Sequence, residues 1–320
     1  MSWLRAHRTL VGFAVGLPVS ALFLWLAARN ADPSEVRRSL EDARLGLVAL
    51  AVVGMLTVYG FQAARWWTIT GSRSVGPVRF YELVLSGVAC NNVLPGRIGD
   101  LLRARWLGRE ARIPAGRALG TVVLDRGCDV VALFAFLALG LFAVASADWL
   151  LRIVVAAAVG LGALAAALVF ARQYTTRRER ERRHRGLVRR VLRDAMELLA
   201  EPLGGRRPAV WLGLSLAAWA MWAVAAILIS RSVGIDLGLL DALFVAGVMN
   251  LGVAIPSSPG FVGTYQWLGV ASLGLLGIAD DDALAFSILL HASWYVPTTV
   301  LGGSVIATRV LRGSRAALAK

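Results

Sequence analysis

Six apolar stretches, each about as long as a bilayer is thick, limit what this 320-residue chain can become more than anything else in it. They run approximately over residues 9–28, 45–67, 118–143, 149–170, 209–230 and 283–308. About 20 apolar residues are needed to cross the hydrocarbon core as a helix. Backbone polar groups find no water there, so a spanning segment has to satisfy them within itself. The overall balance agrees, with 58% hydrophobic and 17% charged residues and a mean hydropathy of +0.66, far from an ordinary soluble domain. The sequence predicts an all-α polytopic membrane protein with about six full transmembrane helices. Arg5 and Arg8 ahead of the first stretch, and Ala27-Ala28 at its end, have the pattern of a secretory signal. Its length and the spans that follow predict a retained helix.

Two further apolar stretches, about 81–100 and 242–277, are interrupted. The first carries Asn91, Asn92, Pro95, Gly96, Arg97, Gly99 and Asp100, and the second Asn250, Pro256, Ser257, Ser258, Pro259, Gly260, Gly263, Thr264, Tyr265 and Gln266. Both contain Pro-Gly-x-x-Gly. Proline removes an amide donor and glycine admits non-helical backbone, so each stretch is expected to be a re-entrant or broken helix. The shift that carries Pro95 onto Pro259 also carries 45–67 and 118–143 onto 209–231 and 282–307, which predicts an inverted 3+3 repeat. Its halves would be 1–146 and 147–320. The second half would hold a basic insertion, about 172–208, read either as an amphipathic helix on the inner leaflet or as a solvated linker helix.

The net charge of +14 would suit nucleic acid, but its distribution argues otherwise. An alternating topology puts most Lys and Arg on one side, including Arg65, Arg73, Arg79, Arg97, Arg103, the run from Arg172 to Arg207 and the tail from Arg309 to Lys320. Both termini are therefore expected in the cytoplasm, and the excess charge serves orientation and attraction to anionic lipid.

A half-helix that starts at a break offers oriented amides and partial positive charge, which suits a phosphate. Arg97 could add a bidentate contact, with the amides around Gly96 and Gly99 free to bind. Asn91 and Asn92 could bridge the broken backbone or hold a headgroup, and Arg103 could assist or anchor at the interface. Asp125 and Asp129 share a helix face, with Arg126 beside them, and Asp125 lies about 10 Å inside its span at 1.5 Å per residue. Charges at that depth are functional candidates. The alternative is a structural ion pair with Arg97 or Arg103. His291 is either a packing residue or a proton relay. Asp280 to Asp282 read as a helix cap rather than a metal site, and Trp66, Trp67, Trp149 and Trp211 as interface anchors. Cys90 and Cys128 lack metal-ligand spacing.

The segment from Asn92 to Asp100, then Arg103, then Asp125-Arg126 with Asp129, then Pro256 to Thr264, resembles the transmembrane flippase region of lysylphosphatidylglycerol synthases, over nearly the whole chain. In two-part members of that family a soluble domain aminoacylates a phospholipid and the membrane region moves it. The present chain resembles a free-standing membrane region without the aminoacyltransferase domain, which implies translocation without synthesis. The expectation is a lipid translocase of a bacterial inner membrane. Its substrate would be an anionic or aminoacylated phospholipid, or a polyprenyl-phosphate-type or hopanoid lipid, with Arg97 on the phosphate and Asp125 and Asp129 answering a cationic group or a proton. The second motif would line an opposite vestibule. Expected partners are a membrane lipid, a synthase and a second copy of the chain; no nucleic acid, cofactor or metal is expected. A membrane enzyme acting on lipid phosphate or sugar, and a non-transporting partner of a synthase, are the competing expectations.

Overall fold

The structure, a computed structural model, describes residues 16–144, 206–253 and 258–318. The expected span at 149–170, nearly all of the insertion at 172–208, Trp149, Pro256 and Ser257 lie outside them. The described helices are α1 (Gly16–Ala28), α2 (Pro33–Glu41), α3 (Leu45–Thr70), α4 (Pro77–Val93), α5 (Ile98–Glu110), α6 (Ala115–Gly140), α7 (Arg207–Ser232), α8 (Leu239–Gly252), α9 (Thr264–Gly274) and α10 (Asp280–Leu318).

Among them α3, α7 and α10 are long and apolar enough to cross a membrane. The 26-residue α6 has the length but carries Arg117, Asp125, Arg126 and Asp129. Lipid gives no hydrophobic drive for helices to associate, so close backbone approach matters. Accordingly α3 and α7 pack closely at Gly54, where an added Cβ would sit 3.4 Å from the Ala225 Cβ.

Each interrupted stretch is a helix, a short 3-10 turn and a second helix. In the first, α4 ends at Val93, Pro95–Arg97 forms the turn and α5 starts at Ile98. The two arms fold back on each other so tightly that a Cβ on Gly99 would lie 1.9 Å from the Gly87 carbonyl oxygen, which only glycine permits. In the second, α8 ends at Gly252, Pro259–Phe261 forms the turn and α9 starts at Thr264. Arg97 (φ 52°) and Phe261 (φ 60°) occupy the same place in their motifs and both adopt the left-handed conformation, which L side chains other than Asn and Asp rarely enter.

Outside the membrane-crossing helices, Asp32 caps α2 by accepting from the Ser34 amide and hydroxyl. Asp281 accepts from the Asp32 amide, Asp280 from Asn30 and Asp282 from Ser39. The acidic triplet thus also fastens the start of α10 to the α1–α2 connection. At the far end of α10, Arg309 pairs with Glu110, which also receives Arg79 at 2.8 Å, joining α10, α5 and α4.

Candidate functional site

Three arginines and three aspartates form a closed ring of alternating charge in the interior. Arg65 of α3 donates to Asp125 at 2.8 Å and to Asp129 at 2.7 Å. Asp125 is 3.2 Å from Arg103, which is 3.0 Å from Asp100 on the same α5 turn. Asp100 receives Arg126 at 3.0 Å, and Arg126 reaches Asp129 at 3.2 Å, closing the circuit. Ser215 and the Trp219 indole of α7 supply further contacts, to Arg65 and Asp129 respectively, and the Arg103 guanidinium lies 4.7 Å from the Trp66 ring centre. Arg65, Arg103 and Asp125 are at most 1% exposed. Charges so deep persist only when paired and hydrogen-bonded, and the ring pairs every one.

Several expectations change here. Asp125 takes Arg65 and Arg103 as partners, and Arg97 does not reach it. Arg65 and Arg103, assigned to the cytoplasmic side from their order in the chain, are buried ring members rather than surface charges. Trp66 and Trp211 are no interface anchors either: Trp66 is fully buried, donates to Thr121 and meets Phe80 edge-on, and Trp211 is buried too.

Beside the ring lies a cavity of about 270 Å³ onto which both breaks open. From the first come Asn91, Asn92, Arg97 and Asp100; from the second, Asn250, Val253, Phe261 and Tyr265; Arg126, Asp129 and the indoles of Trp219, Trp222 and Trp294 complete much of the wall. Phe261 and Tyr265 therefore share the Arg97 cavity. Arg97 joins the two motifs directly. Its Nη2 donates to the Val253 carbonyl at 2.8 Å and its guanidinium lies 5.6 Å from the Phe261 ring centre.

Asn91 bridges the first break by accepting from the Gly99 amide at 2.8 Å. That amide, expected to be free for a phosphate, is already occupied. Asn92 crosses to α10, donating to Thr299 at 2.8 Å and Thr298 at 3.2 Å. In the second motif the Gly263 amide donates to Gln266 at 2.7 Å, so the half-helix caps itself. Gly260 fits against Tyr295 and the Asn92 carbonyl. Gly263 (φ 84°) lies so near Ser20 of α1 that a Cβ would come within 2.2 Å of its carbonyl oxygen, and Ser258 shares a 2.5 Å hydrogen bond with the Ser20 hydroxyl. Asn250 donates to its own helix at Ala246, and Thr264 is buried at the start of α9. His291 is not on the cavity wall. Its Nδ1 accepts from the Gln266 amide at 2.9 Å, because the Gln266 oxygen is spent on Gly263, and its ring packs 4.7 Å from Tyr265 and 5.0 Å from Trp294.

Sequence reading missed Arg65 and Gln62. Arg65 had a signal, a charge between Ala64 and Trp66 inside a long apolar helix. Gln62 sits one turn earlier, is 5% exposed and lines the cavity.

Fold and site together define an α-helical membrane protein with two broken helices around one amphiphilic cavity. Comparison with known proteins agrees. The chain belongs to the family described as the lysylphosphatidylglycerol synthase TM region, whose model matches residues 10–302. It is 27% identical over 94% of its length to a protein named Glycosyltransferase AglD from Haloferax volcanii, and covers 55% of that longer protein. It is 22% identical over 91% of its length to a UPF0104 membrane protein from Methanothermobacter thermautotrophicus, covering 93% of it.

Proposed function

We propose that this chain is a lipid translocase that passes an anionic headgroup through the cavity between its two broken helices. The observation that carries this reading is the meeting of both breaks on one cavity whose wall joins indoles and aliphatic side chains to Arg97, a cation outside the ring. A lipid is amphiphilic in the same way. The cation would hold the phosphate by a charge-assisted bond, while the acyl chains stay between helices.

The ring suits such a role because it can part without exposing a bare charge. The α4–α5 hairpin is held to α6 by two of the six links, Arg103 to Asp125 and Arg126 to Asp100. If α5 moved away, Asp100 and Arg103 would leave as a neutral pair, and Arg65, Asp125, Arg126 and Asp129 would stay as a neutral group. A separation that stranded one buried charge would cost about 3–5 kcal/mol. On this reading the halves 1–146 and 147–320 are inverted repeats, both termini are cytoplasmic, the membrane is a bacterial inner membrane and the hairpin opens the cavity to one side at a time. The cargo is an anionic or aminoacylated phospholipid or a polyprenyl-phosphate-type lipid, delivered by a synthase.

A second reading, a part or partner of a glycosyl-transferring enzyme, has one observation in its favour, the name of the longer Haloferax volcanii relative. Proteoliposomes carrying fluorescent phosphatidylglycerol separate the two. Translocation predicts that protein makes inner-leaflet fluorophore accessible to an impermeant quencher faster than in protein-free vesicles, with the lipid mass unchanged. No acceleration, together with a new lipid mass after incubation with lipid extract and sugar donors, would replace the first reading with the second.

A further inference from the structure

Gln62 is a neutral polar group that the protein leaves unused. It is 95% buried, it lines the cavity, and among the described residues nothing hydrogen-bonds to its amide. Its amide opens onto the cavity, where a ligand group or water can meet it. On α3 the residues at helical spacing that face the cavity are Met55, Val58, Tyr59 and Gln62, a stripe running from apolar to polar over about 10 Å and ending beside Arg65 of the ring. The second fact is electrostatic. Arg126, Asp100 and Asp129 reach the cavity wall but belong to a ring of three positive and three negative groups. Among the described charged residues of the wall, Arg97 alone has no carboxylate within ion-pair distance; it donates to a backbone carbonyl. The cavity therefore offers one unmatched positive charge and, beside the unpartnered Tyr265 hydroxyl, an amide without a partner among the described residues that both donates and accepts. A hydroxyl does both in return.

Resting on the translocase reading, we propose that the cavity selects lipid phosphodiesters with a single negative charge and neutral hydroxyls on the headgroup, the phosphate on Arg97 and a hydroxyl on Gln62. A phosphate monoester would bring more charge than Arg97 matches, and a zwitterion would leave its cationic group without a free counter-charge, because Asp100 and Asp129 are held in the ring. Open-chain and ring polyols share the recognised chemistry.

The test uses the full chain in phosphatidylcholine nanodiscs doped with guest lipids of identical acyl chains, with bound lipid read by native mass spectrometry. The guests are phosphatidylglycerol, phosphatidylinositol, phosphatidylethanol, which is a phosphodiester without a hydroxyl, and phosphatidic acid. Wild type is expected to retain phosphatidylglycerol or phosphatidylinositol about tenfold better than phosphatidylethanol, the worth of one buried hydrogen bond; whichever polyol leads supports the proposal and identifies its form. Gln62→Met, close in shape, should abolish that preference while still retaining phosphatidylethanol over phosphatidylcholine, which also shows that the variant is folded. An undiminished preference in Gln62→Met, or no preference in wild type, would overturn the role of Gln62. Phosphatidic acid retained best would overturn the single-charge rule. If no guest is retained above phosphatidylcholine, the anionic-lipid reading itself fails.

Discussion

Replacing Arg65 by methionine would remove the ring's hub without removing its bulk. Arg65 gives Asp125 and Asp129 one link each and also donates to Ser215; after the change the three ring carboxylates, two of them buried, share two guanidiniums. Breaking a buried pair by taking one partner costs about 3–5 kcal/mol. Asp125→Asn makes the opposite error, leaving a guanidinium in excess, and should cost a similar amount. The double variant restores balance, so its loss should fall short of the sum of the single losses by about 1–3 kcal/mol. At roughly 2–4 °C per kcal/mol, each single variant should lower the melting temperature by on the order of 10 °C, and the double should recover several degrees relative to additivity. Arg37→Ala provides the surface comparison, because its pair with Glu41 is 79% and 62% exposed and is worth less than about 0.5 kcal/mol. Melting followed by tryptophan fluorescence in detergent micelles makes the measurement. Strictly additive losses, or an Arg65→Met change no larger than that of Arg37→Ala, would refute the ring as a coupled unit.

Other outcomes follow from the same geometry. Gly99→Ala should force α4 and α5 apart, since its Cβ would overlap the Gly87 carbonyl, and the loss should exceed about 3 kcal/mol, read as a fall in melting temperature with faster amide exchange over α5. Gly263→Ala, with φ 84° and Ser20 in the way, should loosen α1 from the second break, read by cross-linking of cysteines placed in α1 and α9. At α2, hydrogen bonds from the Ser34 hydroxyl and amide hold the Asp32 carboxyl below its ordinary value. The ionised form is the one favoured by folding, so this contribution is full above the unfolded carboxylate range and is lost as pH falls through the lower folded value. Ser34→Ala should shift the acid-induced rise in α2 amide exchange to higher pH.

The breaks were legible because proline and glycine act locally: Pro95, Gly99, Pro259 and Gly263 end or start helices wherever the rest of the chain goes. Asn91 was legible for the same reason, lying eight residues from the amide it bridges. Asp125 and Asp129 announced themselves by depth in an apolar span. The ring was not legible as a ring, because its long links join α3, α5 and α6, and sequence order alone put Arg65 and Arg103 with surface arginines. Gln62 was silent for a related reason, since a single amide in a helix acquires meaning only when packing denies it partners. The particular contacts of Arg97, with the Val253 carbonyl and the Phe261 ring, depend on tertiary packing that a repeat alignment does not contain.

The claim that Arg97 carries an anionic headgroup is tested most directly by translocation of fluorescent phosphatidylglycerol in proteoliposomes reconstituted with wild type, Arg97→Gln and Arg105→Gln, the last changing an exposed arginine of α5. A hydrogen bond to a charged group is worth about 1.5–3 kcal/mol, so Arg97→Gln should slow translocation about ten- to a hundredfold while Arg105→Gln matches wild type. Equal rates for Arg97→Gln and wild type, at equal reconstitution, would contradict the account.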